Sequence, residues 1–153
     1  MTWNSDALFV VPFWKTRVNN FTVKKKSIEK LLRTYREKPT QLQTFASNRG
    51  SNFIEPFREI FQEELNGFAT TIKKHCEITD VWSASYKTGD YHPYHNHNNK
   101  GLSGIVYLTL KDKMPHTVFV NANPDWVTGH TQYYDMAVNE GDMVIVPSHV
   151  GHF

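Results

Sequence analysis

The sequence from Tyr86 to Leu110 reads YKTGDYHPYHNHNNKGLSGIVYLTL and contains the densest group of histidines in the chain. His92, His95 and His97 lie within six positions, and a run of apolar and β-branched residues typical of a strand follows them. Residues two apart in an extended strand point to the same face, so we expect the imidazoles of His95 and His97 to share one space. His92 has the opposite parity, and the same rule predicts that it points away.

A second stretch, Gly141 to Phe153, reads GDMVIVPSHVGHF and places His152 just beyond another apolar run. Neutral imidazole is the commonest protein ligand for Fe, Zn, Cu and Ni. Two histidines from one strand and a third from a distant strand can hold one metal ion and leave positions open for water or substrate. His95, His97 and His152 are therefore the candidate ligands. The alternative interpretation of HNHNN is a polar surface hairpin, because eight histidines in one chain make some clustering by chance expected.

Length and composition indicate one domain, residues 1–153, long enough to bury a core. Ten Phe, seven Tyr and four Trp favour a sheet-based core, and a formal charge of +2 gives no reason to expect a nucleic-acid partner. No apolar run approaches the roughly 18 residues of a membrane span. Cys76 is expected to be a small buried residue within a helical pattern. As the single cysteine it has no internal disulfide partner, which suggests a reducing, cytoplasmic location.

The N-terminal part of the chain, about residues 1–80, contains two helical patterns. A short strand is predicted over 8–14, a first helix from Ser27, and a loop over 40–52. Pro56 suits the first turn of a second helix, whose apolar stripe runs to Ile72. Both helices are predicted to buttress a sheet.

From residue 81 the apolar period changes to two. Strands are predicted near 82–86, 91–97, 102–110, 117–120, 132–138 and 142–146, with a further one beginning at His152. The tight-turn sequence Asn139-Glu140-Gly141 favours pairing of the two strands that it joins. Many short strands separated by turns predict a barrel or a two-sheet jelly roll.

In their order along the chain, these motifs resemble those of the 2-oxoglutarate- and Fe(II)-dependent oxygenases, in particular small phage and marine-bacterial members related to prolyl hydroxylases. The motifs that carry the resemblance are Tyr86-x-x-Gly89, His95-Asn96-His97, LSGIVYL at 102–108, Thr117-Val118-Phe119, and EGDMVIVPS at 140–148 before His152. The N-terminal VPFW and the segment Ser47 to Gly50 are also similar, so the resemblance covers nearly the whole chain.

The resemblance implies a double-stranded β-helix, a cupin-like jelly-roll barrel, over about 81–153. It implies that His95 and His152 bind Fe(II) and that Tyr86 hydrogen-bonds 2-oxoglutarate as a small-molecule co-substrate. The implied reaction is oxidative decarboxylation of 2-oxoglutarate coupled to hydroxylation of a C–H bond. His97 stands where the family usually has a carboxylate, which makes the site one charge unit more positive. No residue can be nominated for the basic partner of the distal 2-oxoglutarate carboxylate.

Two other classes of function stay open. A cupin-like metalloenzyme could use three histidines without 2-oxoglutarate, and a non-enzymatic barrel could bind a ligand through its aromatic residues. The histidine pattern favours the metal-dependent functions over the binding module, and the arrangement of Tyr86 and His95 favours the oxygenase over the cupin-like enzyme.

The barrel that the resemblance implies has eight core strands, so this chain is expected to lack its last strand. An unpaired strand edge promotes association. We therefore expect the edge to be covered by further C-terminal residues, by the strand near 8–14, or by another copy of the chain in a homo-oligomer.

Overall fold

The computed structural model describes residues 10–34, 46–49, 51–111 and 116–153. The α-helices in these residues are α1 (Phe21–Thr34), α2 (Ile54–Ile60) and α3 (Gln62–Ile72), with a 3₁₀ turn at Ser51–Phe53. The strands are β1 (Trp14–Arg17), β2 (Ala46–Arg49), β3 (Trp82–Ser85), β4 (Leu102–Val106), β5 (Val118–Val120), β6 (Tyr133–Asp135), β7 (Asp142–Pro147) and β8 (Gly151–His152). The predicted class, a mostly β fold with N-terminal helices, is confirmed.

The described strands form three antiparallel sheets, with the orders β1-β7-β4, β2-β3 and β6-β5-β8, and they do not close into a barrel. β7 is the central strand of the first sheet, where Ile145 lies between Trp14 and Gly104. β5 is the central strand of the third sheet, where Phe119 lies between Tyr134 and His152. Each of these two sheets therefore has one central strand that both of its neighbours depend on.

The alternation of β7 sends its side chains to two different cores. Val144 and Val146 pack with Phe119 of the third sheet. Met143 and Ile145 point the other way and pack against the helices. Because both faces of β7 are covered, this strand reads as a continuous apolar run and not as an alternating one.

An ion pair fastens α1 to α3. Lys24 Nζ donates to both carboxylate oxygens of Glu64 at 2.8 Å, and the backbone N–H of Asn19 donates to the same carboxylate at 2.9 Å. The Glu64 side chain is only 3% exposed. A carboxylate that is withdrawn from water in this way needs such partners to remain charged.

The helix boundaries differ from those predicted. α1 begins at Phe21 and not at Ser27, whose hydroxyl lies inside the helix and donates to the carbonyl of Val23. The predicted second helix is split into α2 and α3 at Phe61, whose fully buried ring sits at the interruption. The expectation that Cys76 is buried in a helix is wrong. α3 ends at Ile72, and Cys76 is exposed in the segment that follows.

Most of the predicted strands are present, but several differ in length or in pairing partner, and only an isolated bridge at His95 forms within the strand predicted over 91–97. The strand expected over 8–14 begins at Trp14, and its first two positions lie outside the described residues. Part of the loop predicted over 40–52 is β2, which pairs with β3, while 40–45 and 50 lie outside the described residues. The strand predicted over 102–110 ends at Val106.

The predicted pairing of 132–138 with 142–146 is wrong. β6 pairs with β5, and β7 pairs with β1 and β4. Met136 and Val138 bury their side chains in the core between the sheets, so the chain leaves the third sheet before the turn that ends at Gly141. That turn therefore connects two sheets instead of closing a hairpin.

The outer edge of β4 has no strand partner within the part of the chain that the structure describes. β1, the strand near the N-terminus, pairs with β7 and so does not cover this edge. No helix among the described residues is both long enough and apolar enough to span a membrane.

Candidate metal centre

Three imidazoles converge at the edge of the third sheet. His95, His97 and His152 each offer a nitrogen that lies within 4.8 Å of the nitrogens of the other two. The ring centroids are 4.9 Å apart for His95 and His97 and 4.4 Å apart for His95 and His152. Metal–nitrogen bonds of about 2.0–2.1 Å place neighbouring donor atoms roughly 3 Å apart, so small ring rotations would bring all three onto one ion.

The backbone holds the three rings in this arrangement. His95 and His152 form an antiparallel bridge in which each backbone N–H donates to the other carbonyl at 2.9 Å. The backbone N–H of His97 donates to the carbonyl of Ser148 at 2.9 Å, so the two segments continue side by side. Although only this bridge remains of the strand predicted over 91–97, the rings of His95 and His97 do point into one space, as their spacing predicted.

Hydrogen bonds select the tautomer of two of the imidazoles. His95 Nδ1 lies 2.8 Å from the carbonyl oxygen of Pro93, and His152 Nδ1 lies 3.0 Å from that of Val150. A carbonyl oxygen can only accept, so each Nδ1 carries a proton, and in the neutral ring the lone pair is on Nε2. Metal-binding histidines in proteins are commonly oriented in this way.

Burial also favours the neutral form of His152. It lowers the pKa of His152, while the hydrogen bond to Val150 opposes the change and the nearby imidazole of His95 adds to it. Imidazole must be unprotonated to bind a metal, so a lowered pKa favours binding at neutral pH. No carboxylate belongs to this group of side chains among the described residues.

Aromatic rings line the outside of the cluster. Trp82 of β3 lies 5.0 Å from His97, and Phe119 of β5 lies 5.8 Å from His152, measured between ring centroids. Each of these two imidazoles therefore has an aromatic ring beside it, which restricts its movement.

His92 does not point away as strand parity predicted. Its ring stacks on His95 with centroids 3.9 Å apart and planes at 25°. The parity rule fails because residues 91–94 are not in a strand, and Pro93 interrupts the segment. Burial, together with the charges of the other three imidazoles, lowers the pKa of His92 to about 4.

Tyr86, the predicted 2-oxoglutarate ligand, contacts the cluster through His92. Its hydroxyl lies 3.1 Å from His92 Nδ1, and the side chain is 39% exposed. Burial raises the pKa of Tyr86, so the hydroxyl keeps its proton at neutral pH. Its role in binding 2-oxoglutarate stays a prediction.

Tyr107 is a candidate that the sequence did not reveal. Its hydroxyl is buried and makes no hydrogen bond with any described residue. Burial raises its pKa, and the adjacent Thr117 partly opposes the change without reaching hydrogen-bonding geometry. The ring packs in the core cluster that also contains Phe119, the neighbour of His152. The sequence alone does not distinguish Tyr107 from the other residues of a predicted apolar strand.

Gly151 gives β8 room beside Tyr94. A Cβ atom at position 151 would overlap the Tyr94 ring and hydroxyl. Because Tyr94 and Gly151 are the neighbours of His95 and His152 in the chain, this close approach keeps the bridged segments in register.

The other histidines are not among the candidate ligands. His116 pairs with Asp135 of β6, with Nε2 3.0 Å from a carboxylate oxygen. Three further histidines are exposed and do not belong to the group of possible metal ligands: His75, His130 and His149.

Comparison with known protein families agrees with this geometry. Residues 80–153 match the model of a family described as "Putative 2OG-Fe(II) oxygenase". A comparison with curated proteins gives no match. The matched segment contains Tyr86, Tyr107 and all three imidazoles of the candidate centre. The C-terminal half of this chain, residues 80–153, therefore belongs to the 2-oxoglutarate- and Fe(II)-dependent oxygenase superfamily.

Proposed function

We propose that this protein is an Fe(II)- and 2-oxoglutarate-dependent oxygenase that hydroxylates an organic substrate. The observation that carries the proposal is the convergence of His95, His97 and His152, with two Nδ1 atoms hydrogen-bonded to carbonyls. Three nitrogen donors on one side of an ion leave positions open for a chelating co-substrate and for dioxygen. The donor set therefore fits Fe(II).

The arrangement of the two larger sheets supports a jelly-roll fold of the double-stranded β-helix type. The first and third sheets contribute side chains to one shared core, with Val144 on one side and Phe119 on the other. The cluster of three candidate metal ligands lies on the edge of the third sheet, where His95 bridges to β8.

His97 gives the proposed centre three neutral ligands. A set of two histidines and one carboxylate is typical of Fe(II) oxygenases, so the three-histidine set is expected to hold a more positive ion. A more positive ion binds the dianion 2-oxoglutarate more strongly by charge alone.

Tyr86 and Tyr107 are the residues that we propose for holding 2-oxoglutarate. The Tyr107 hydroxyl is buried with no partner among the described residues, which costs about 1–3 kcal/mol until a ligand supplies one. When bound, Fe(II) and 2-oxoglutarate would supply the oxidising chemistry together with dioxygen. One oxygen atom would enter the succinate that forms with carbon dioxide, and the other would enter the hydroxylated substrate. The chain's part is to orient the three imidazoles, donate hydrogen bonds to the acid and keep water out with Trp82 and Phe119.

The experiment that tests the proposal adds Fe(II) and then 2-oxoglutarate to metal-free protein without oxygen. We expect a visible metal-to-ligand charge-transfer band after the second addition, and succinate once oxygen is admitted. Iron binding without the band and without succinate would contradict the oxygenase proposal.

A cupin-like metalloenzyme that does not use 2-oxoglutarate is the second candidate. Among the described residues, the group of possible metal ligands contains no carboxylate, which favours this second candidate. It predicts that the protein binds a divalent metal tightly but that 2-oxoglutarate changes neither the spectrum nor the oxygen consumption. A protein with no metal affinity would indicate the non-enzymatic binding module instead.

We further propose a cytoplasmic location and a self-associating protein. The thiol of Cys76 is exposed, a state that a reducing compartment preserves. The outer edge of β4, which has no strand partner among the described residues, offers backbone groups to a second copy.

A further inference from the structure

His92 connects two parts of the proposed site that are otherwise separate. Its ring is stacked on His95 at a centroid distance of 3.9 Å, and its Nδ1 lies 3.1 Å from the Tyr86 hydroxyl. Neither contact is needed to hold a metal, since the three candidate ligands are the other imidazoles of the cluster. Both contacts together nevertheless determine where the His95 ring and the Tyr86 hydroxyl point.

We propose that His92 is a positioning residue that couples Tyr86 to the metal-binding orientation of His95. This inference rests on the proposed function, because it concerns the same centre. It assigns to His92 no bond to the metal and no part in the chemical step.

The surroundings of the His95 ring explain why one neighbour has so much influence on it. Pro93 accepts the Nδ1 proton of His95 at 2.8 Å, and the preceding residue, His92, covers one face of the ring. His97 meets the ring edge-on, with the planes at 87°. The dipeptide His92-Pro93 therefore fixes both the tilt and the tautomer of His95, and the fixed φ angle of proline makes this dipeptide stiff.

Tyr86 is fixed by the same residue. A tyrosine hydroxyl has one proton, and its hydrogen bond with His92 Nδ1 determines which way the remaining donor or acceptor site points. If a carboxylate binds to Tyr86, this hydrogen bond must adjust, and the stacked rings of His92 and His95 adjust with it. Residues that share one network in this way are expected to show non-additive mutational effects.

Two substitutions separate the contacts of His92. His92→Phe keeps a flat ring for stacking and removes the hydrogen bond, whereas His92→Asn keeps a polar group and removes the stack. We use Co(II) as the probe, because its visible spectrum reports the geometry of the ligands. We expect His92→Phe to keep the Co(II) affinity and spectrum of the original protein. We expect His92→Asn to lower the affinity by about 10–100-fold, the usual effect of losing a residue that orients a metal ligand, and to alter the spectrum.

The hydrogen-bonding half of the proposal is tested with Tyr86. Affinity for 2-oxoglutarate is measured in the original protein, in His92→Phe, in Tyr86→Phe and in the double variant. We expect both single variants to weaken 2-oxoglutarate binding and the double variant to be no weaker than Tyr86→Phe alone. Fully additive losses would overturn the coupling.

His130 provides the matched control, since it is an exposed histidine in the loop between β5 and β6. His130→Phe and His130→Asn are expected to leave Co(II) affinity and spectrum unchanged. His92→Leu, which has neither ring nor hydrogen bond, gives the same expected loss as His92→Asn and serves if that variant is too unstable to fold. Original Co(II) affinity and spectrum in a folded His92→Asn or His92→Leu protein would overturn the inference, while leaving the proposed function intact. Failure of the original protein to bind Co(II) or Fe(II) would instead contradict the proposed function.

Discussion

At the scale of single residues, the candidate centre depends on short local contacts that set each imidazole. His95 and His152 both donate from Nδ1 to the carbonyl two residues earlier, in Pro93 and Val150. The same local arrangement therefore occurs on two segments that are distant in sequence and paired in space. The repetition is a reason to regard the cluster as a built site and not as a chance meeting of histidines.

The first prediction concerns the three proposed ligands. Replacing His95, His97 or His152 by alanine removes one of three donors, so Fe(II) affinity should fall by more than the roughly 10–100-fold seen when only an orienting residue is lost. Anaerobic titration calorimetry measures this. His116→Ala is the control and should keep the affinity, since His116 pairs with Asp135 and is not one of the three candidate ligands. Loss of affinity in the control, or its retention in a ligand variant, would remove the assignment.

The second prediction concerns the tyrosine hydroxyls. Tyr86→Phe and Tyr107→Phe should each weaken 2-oxoglutarate binding more than Fe(II) binding, because a hydrogen bond to a charged group contributes about 1.5–3 kcal/mol. Tyr107→Phe should also leave the ligand-free protein as stable or more stable, because it removes a buried hydroxyl that lacks a partner among the described residues.

Titration of the charge-transfer band measures binding of 2-oxoglutarate, and thermal unfolding measures stability. Tyr133→Phe is the control, since Tyr133 is 63% exposed on β6. A destabilised Tyr107→Phe protein with unchanged 2-oxoglutarate affinity would show that this hydroxyl has a structural role instead.

The third prediction concerns the pH dependence of the metal-free protein. The pKa values of His92, at about 4, and of His152 are both lower in the folded chain than the ordinary histidine value of about 6.5. Between about pH 4 and pH 6.5 the unfolded chain therefore binds more protons than the folded chain. The free energy of unfolding should have its full value above about pH 6.5 and fall as the pH drops toward 4. Urea unfolding across this range measures the slope, and His92→Phe should reduce it. A stability that is flat from pH 7 to pH 4 would contradict the prediction.

At the scale of secondary-structure elements, a charged contact joins α1 to α3. Lys24 of α1 donates to both oxygens of Glu64 of α3, whose side chain is 3% exposed. Beside this contact lies Phe61, the fully buried residue at which the predicted long helix is split. The pair therefore aligns α1 with the helical layer that covers the outer face of β7.

The fourth prediction is that Lys24→Ala destabilises the protein much more than Lys26→Ala. The first change leaves the buried Glu64 carboxylate without its cation, which typically costs about 3–5 kcal/mol for a buried pair. Lys26 is an exposed neighbour on the same helix and serves as the control. Urea unfolding measures both. Equal midpoints for the two variants would indicate that water, and not Lys24, compensates the carboxylate.

At the scale of the whole molecule, the outer edge of the first sheet bears on whether the protein is a monomer. β4 pairs with β7 on one side and with no described strand on the other. The fifth prediction is that the protein self-associates through this edge, because unpaired backbone groups on a strand favour pairing with another chain. Size-exclusion chromatography with light scattering should give a mass above that of one chain. A monomer at all concentrations would contradict it.

The sequence predicted that His95, His97 and His152 lie together, but it did not predict several of the strand pairings. The two-residue spacing of His95 and His97 predicted their common direction, because both residues are held locally alongside the same segment. His95 bridges to His152, and the backbone N–H of His97 donates to the carbonyl of Ser148. The position of His92 was not predictable, since it depends on how Pro93 bends the chain. The partners of β6 and β7 were also missed, because a tight turn before Asp142 looks the same whether it closes a hairpin or connects two sheets.

The pairing of β1 with β7 also has a consequence for how the chain folds in time. Arg17 and Asp142 meet in this pair although they are 125 residues apart in sequence. Contacts of such long range form slowly, because a large loop must close before any contact within it is gained. The helices can form locally and early, but the pairing of β7 with β1 is completed late. The rate at which a refolding sample becomes able to bind a metal should therefore follow the slowest phase of folding and not the appearance of helix.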